Sequence, residues 1–182
     1  MGSNIHEGHC TITDKENVKD IIVVHNAAGK EIDRVDIGDA GTISNCTESS
    51  YKNTDAEGNE VEVKYLAFNV NSKEAAQTVF ETVTMGASVE FVNIETSKQD
   101  NNIVGTNHKE SRVGLAGQTI IPNSEFSKKM LNNGAYLMQR GHSHPSGNGV
   151  SNADIKNVPL YPSNVTLRVF SQGKYITYKT EK

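Results

Sequence analysis

The run His142-Ser143-His144-Pro145 constrains this chain more than any other stretch of it. Two histidines at i and i+2 on an extended segment put both imidazoles on the same side of a strand. Pro145 cannot continue a central strand, so the second histidine is placed at or just past a strand end. A carboxylate arriving from the next element can meet the rings there. Asp154 is that carboxylate, in the first turn of a short helix expected over residues 151–157. Two neutral imidazoles, one carboxylate and a position left open for water make the ligand set of a catalytic zinc site. Ser151-Asn152-Ala153-Asp154 also reads as a capping box, with Ser at the N-cap and Asp at N3, which by itself requires no metal.

The elements around this motif follow from periodicity. Residues 20–25 and 30–37 flank Asn26-Ala27-Ala28-Gly29 as a hairpin signal. Residues 38–59 are rich in Gly, Ser, Thr, Asn and Asp and read as a long loop or a boundary. A strand is expected over 60–70. A helix follows, capped by Asn71 or Ser72, with Ala75, Ala76, Val79, Phe80 and Val83 as its apolar stripe and Gly86 at its end. Further strands are expected over 88–96, 103–106 and 114–121, and a helix over 123–131 closed by Asn133-Gly134. The motif strand spans 135–142, and a hairpin of residues 165–170 and 174–178 closes the chain. The domain division expected is 1–18 as a flexible end whose Met1-Gly2-Ser3 looks like an expression scar, 19–60 as a hairpin-and-loop appendage, and 61–182 as the catalytic domain.

Composition narrows the functional classes. A net charge of −4 and a pI near 5.9, with basic residues scattered, give no footprint for nucleic acid. No apolar run approaches the roughly 20 residues that span a bilayer, so neither nucleic acid nor membrane is an expected partner. Cys10 and Cys46 are too few for a disulfide framework; they could pair in an oxidising compartment, and two isolated free thiols are the expectation preferred. His6-Glu7-Gly8-His9-Cys10 has metal-binding residue types, but it lies at the tag-like terminus and reads as an adventitious site.

His-Ser-His-Pro, a glycine-containing loop and Ser-x-x-Asp resemble the signature of the JAMM (JAB, MPN+) metalloproteases. Nine residues separate His144 from Asp154, against the ten usual in that family. From about Val63 onward the chain is most similar to the JAB-like toxin domains at the C-termini of Rhs-type bacterial polymorphic toxins. The resemblance implies an α+β, α/β/α layered fold: a mixed β-sheet flanked by helices, JAMM/MPN-like and related to the cytidine-deaminase fold, here with an N-terminal β-hairpin appendage. It implies Zn²⁺ held by His142, His144 and Asp154, a glutamate base upstream of the histidines, and Ser151 steadying the oxyanion. Glu90 fits the base. It interrupts an apolar stretch and shares a face with Val92 and Ile94, where burial raises a carboxyl's pKa toward the useful range. Glu95 and Glu110 are reserves. The glycine usual soon after this glutamate is replaced by Phe91-Val92-Asn93.

The function implied is hydrolysis of a peptide or isopeptide bond by the C-terminal effector domain of a larger secreted bacterial protein, acting in a target cell. A protein or peptide would be its substrate and an immunity protein its partner. A catalytically inactive JAMM-like protein-binding module is the alternative, and stoichiometric zinc with an open position discriminates against it. Base deamination is a third class. It ordinarily uses Cys-rich ligation, and both cysteines lie far from the motif.

Overall fold

The computed structural model describes residues 2–6, 9–13, 19–25, 28–54, 58–86, 89–97, 102–106, 137–144, 147–161 and 163–179. Four strands come first: β1 (Gly2–His6), β2 (His9–Thr13), β3 (Lys19–His25) and β4 (Glu31–Asp39). They form one sheet in the order β2-β1-β3-β4. The expected hairpin is its β3–β4 pair, antiparallel from Lys19↔Asp39 to His25↔Glu31. Residues 2–6 and 9–13, expected as part of a flexible end, are strands that pair with each other, and β1 also runs parallel to β3.

The second sheet has seven strands. Its members are β5 (Ile43–Thr54), β6 (Glu60–Val70), β7 (Val92–Thr96), β8 (Asn102–Thr106), β9 (Leu137–Ser143), β10 (Thr166–Ser171) and β11 (Lys174–Lys179). The order is β11-β10-β9-β7-β8-β6-β5. The sheet is mixed: β9 and β10 run parallel, and the other neighbours are antiparallel.

Strand β5 corrects the reading of residues 38–59 as a loop. It pairs with β6 from Ile43↔Val70 to Thr54↔Glu60, so the expected boundary between residues 60 and 61 falls inside a hairpin. Its composition misleads because it is an edge strand with much of its length in solvent, where polar side chains are the norm. Cross-strand pairs replace apolar packing: Ser50 Oγ donates to Glu62 at 2.5 Å, and Lys52 pairs with Glu60 at 2.6 Å.

Helix α1 (Lys73–Gly86) lies between the two sheets, touching β3 and β4 on one side and β6, β7 and β8 on the other. Ser72 is its N-cap, accepting from Ala75 N at 3.0 Å. Asn71 instead ties the preceding turn back, its backbone N donating to Thr42 O at 2.8 Å. The predicted stripe is the buried stripe: Ala75, Ala76, Val79, Phe80 and Val83 pack with Ile22 and Ile37 of the first sheet and Leu66, Phe68, Val104 and Phe170 of the second. Phe80 meets Phe170 edge-on, with ring centroids 5.6 Å apart. On the opposite face of the seven-stranded sheet, Val92, Ile94, Leu167, Val169 and His142 are buried too.

The cysteines are another correction. Cys46 is disulfide-bonded, and no free cysteine remains among the described residues. Cys10, on β2, is the only other cysteine in the chain, and β2 lies against β5. The expected strand over 114–121 and helix over 123–131, together with His108 and Glu110, lie outside the described residues, as do the side chains of the His6–Cys10 cluster.

Candidate metal centre

Strand β9 delivers the histidines from the middle of the sheet. His142 stands opposite Val92 of β7 and Val169 of β10. It is almost completely buried, whereas His144, one pleat on, is partly open. The ladder continues one residue past the strand. Ser143 N donates to Phe91 O at 2.9 Å, and His144 N donates to Phe170 O at 3.0 Å. His144 is therefore pinned by its backbone where the strand gives way to the loop.

The loop then folds over the second histidine. Gly147 N donates to His144 O at 3.0 Å. Gly147 takes φ +76°, a conformation glycine adopts without steric cost. A Cβ there would lie 2.6 Å from Gln172 Nε2, so this loop packs closely on the β10–β11 turn. That turn, Gln172-Gly173, has positive φ at both residues (50° and 73°), as a two-residue type I′ hairpin requires.

Helix α2 (Asn152–Asn157) brings in the carboxylate. Ser151 is its N-cap and the expected capping box is complete: Asp154 N donates to Ser151 Oγ at 3.2 Å, and Ser151 N donates to Asp154 Oδ2 at 2.8 Å. Ser151 Oγ also donates to Asp154 Oδ2, at 2.7 Å. Oδ2 thus carries two donors from one residue, which leaves Oδ1 facing His142. The loop that is one residue shorter than the family pattern still delivers its aspartate.

The three side chains converge. Asp154 Oδ1 is 2.9 Å from His142 Nε2, Asp154 Oδ2 is 3.6 Å from His144 Nε2, and the two Nε2 atoms are 3.1 Å apart. One ligand atom from each residue lies within 4.8 Å of the others. A tetrahedral ion with ligands at about 2.0–2.1 Å has edges of about 3.3 Å, and the 3.1 Å between the imidazole nitrogens and the 2.9 Å from His142 to Oδ1 lie near that length. The tautomer matches as well. His144 Nδ1 lies 3.1 Å from Asn148 O and 2.9 Å from Gly149 O. Carbonyls only accept, so Nδ1 carries the proton and Nε2 presents its lone pair to the centre.

Burial pushes the Asp154 carboxyl up, but hydrogen bonding and charge interaction with His142, and the hydrogen bonds from Ser151, outweigh that and hold it well below the ordinary carboxylate range. Asp154 is a carboxylate at any pH at which an imidazole can ligate. The residues present fit a divalent ion with nitrogen and oxygen preferences.

Glu90 sits just before β7 and is buried. Because Val92 is the partner of His142, the pleat puts Glu90 on the histidine face, level with His144. Its position is held on both sides: Thr106 Oγ1 donates to Glu90 O at 2.7 Å, and Phe91 N donates to Ser143 Oγ at 2.9 Å. Through this bond Ser143 braces the strand. Glu95 lies on the other face, next to Arg168 at 3.4 Å. Three contacts had no signal in the sequence: the Asn148 and Gly149 carbonyls on His144, the double donation of Ser151, and Gln172 against Gly147.

A family model described as JAB-like toxin 1 matches residues 68–159, just over half of the chain and all of the site described above. Comparison with the curated proteins and with the solved structures gives no match.

Proposed function

This chain belongs to the JAB-like toxin 1 family, and from that premise we propose that it is a zinc-dependent peptidase or isopeptidase. The convergence of His142, His144 and Asp154 on one point carries the reading. Zinc, when bound, supplies Lewis acidity toward a water molecule and toward the carbonyl of the bond to be cut. The chain's own residues supply the rest. His144, with Nδ1 donating to two carbonyls, keeps its ligating nitrogen unprotonated. Ser151 fixes the rotamer of Asp154 through both donations to Oδ2.

Glu90, on the histidine face, takes the proton of the attacking water and returns it to the departing amine. Ser151 is proposed to steady the oxyanion as well. Its hydroxyl hydrogen points to Asp154 in this arrangement, so that role requires the hydroxyl to turn toward the substrate.

The family description supports a toxin, and we read the chain as the effector domain of a larger secreted bacterial protein. The Cys46 disulfide agrees with passage through an oxidising compartment. No helix among the described residues is long and apolar enough to cross a membrane. A protein or peptide substrate and an immunity protein made by the producing cell are the partners proposed.

Glu90→Gln tests the peptidase reading against that of a metal-binding module without catalysis. The variant should keep its zinc and lose amide cleavage by about 10²–10⁴-fold, the usual contribution of a general base, with cleavage read as new termini by mass spectrometry on a denatured protein digest. Equal cleavage by both proteins removes Glu90 from the mechanism. Absence of cleavage by zinc-loaded wild type favours the binding module.

A further inference from the structure

The β10–β11 hairpin reaches the metal centre without contributing a ligand to it. We propose that it acts as a clasp: Gln172 and Ile176 are positioning residues that hold residues 147–149 against the His144 ring and so raise the affinity of the site for its ion. The proposal rests on the reading of His142, His144 and Asp154 as a metal centre.

The carbonyls of Asn148 and Gly149, 3.1 and 2.9 Å from Nδ1, fix the His144 ring. Both belong to the stretch that joins β9 to α2, and residues 147–149 lie outside every helix and strand. Such a segment stays in place only through the contacts made to it. The hairpin makes contact at two points. A Cβ on Gly147 would lie 2.6 Å from Gln172 Nε2 and 3.4 Å from its Cδ and Cγ, so the outer part of the Gln172 side chain covers this glycine. A Cβ on Gly149 would lie 3.6 Å from Ile176 Cδ1, an ordinary van der Waals contact. Ile176 stands opposite Val169, and Val169 opposite His142, so the pleat puts Ile176 on the histidine face.

Neither residue suits its place on local grounds. Gln172 has φ +50°, a region that glycine and asparagine enter at less cost than a longer side chain. Ile176 is 40% exposed on an edge strand, where polar side chains are the norm. Contact with the loop accounts for both choices. A long side chain is needed to cover Gly147, and an apolar one to pack against Gly149. Backbone strain kept beside a ligand-bearing loop points to a use for the residue that carries it.

Zinc affinity, read by competition with a chromophoric chelator, tests this without relying on turnover. Gln172→Gly removes the side chain and relieves the backbone at once. The metal-free variant should melt no lower than metal-free wild type, yet bind zinc about 3–10-fold more weakly. That is less than the roughly 10–100-fold loss typical when a residue bonded directly to a ligand is changed. Ile176→Thr should weaken zinc binding by a similar factor, whereas Ile176→Leu, which keeps a carbon at the δ position, should retain it. Unchanged affinity in both Gln172→Gly and Ile176→Thr overturns the clasp and leaves the metal centre standing; unchanged affinity in one removes that residue from it. Weaker zinc binding by Gln172→Gly, matched by a lower melting temperature of the metal-free protein, also overturns it, because the contact then serves the fold at large. Folded wild type that binds no zinc removes the metal centre, and the clasp falls with it.

Discussion

Asp154 shows how one residue serves local structure and chemistry together. Its Oδ2 completes a helix cap while its Oδ1 lies 2.9 Å from His142 Nε2, so the capping box and the proposed metal ligation are compatible in one arrangement. Ser151→Ala removes the hydroxyl that both caps α2 and orients the ligand. The variant should lose about 10–100-fold in zinc affinity, read by competition with a chelator, and about 1 kcal/mol of stability, read by thermal melting. Unchanged zinc affinity would show that Asp154 needs no such support.

The pH dependence has a definite sign. Asp154 is depressed in the folded protein, so what its ionised form contributes is present above the ordinary carboxylate range and is lost only as the pH falls below it. Zinc should therefore leave at higher pH than that, as the imidazoles protonate. Zinc retention measured against pH should decline in the histidine range and show no separate step from the aspartate.

The sequence made the elements legible where a local signal was strong. The α1 stripe could be read because the helix buries one face, and the β3–β4 and β10–β11 hairpins because β-rich runs flank a short glycine-containing turn. Strand β5 could not, since an edge strand satisfied by polar cross-strand pairs looks like a loop in composition. Pairing between distant strands is equally hidden from local pattern. Gly105 is an example: it stands beside Val92 of β7 and Ala67 of β6, and a Cβ there would lie 2.9 Å from the Leu66 carbonyl oxygen. Backbone in the middle of a sheet yields little, so Gly105→Ala should destabilise the fold by about 1–3 kcal/mol. Chemical denaturation checks this, and a neutral result would mean that β6 and β8 can part at that point.

For the whole molecule, the order of elements around the motif was legible, and the helix held between two sheets was not. That layer depends on Ile22 and Ile37 reaching α1 from a sheet whose first strands carry no clear periodicity. The Cys46 disulfide was hidden for the same reason, because two cysteines 36 residues apart say nothing until the strands that bear them are placed. Cys46→Ser should cost about 2–4 kcal/mol and make the fold indifferent to reductant, whereas a wild type equally stable with and without reductant would remove the bond from the account. The central proposal is that His142, His144 and Asp154 hold one ion between β9 and α2. Elemental analysis of the wild type and of a His142→Ala/His144→Ala double variant tests that directly. About one zinc per chain, lost in the folded variant, is the result predicted. Wild-type protein that is folded, never exposed to chelator and free of zinc would contradict it.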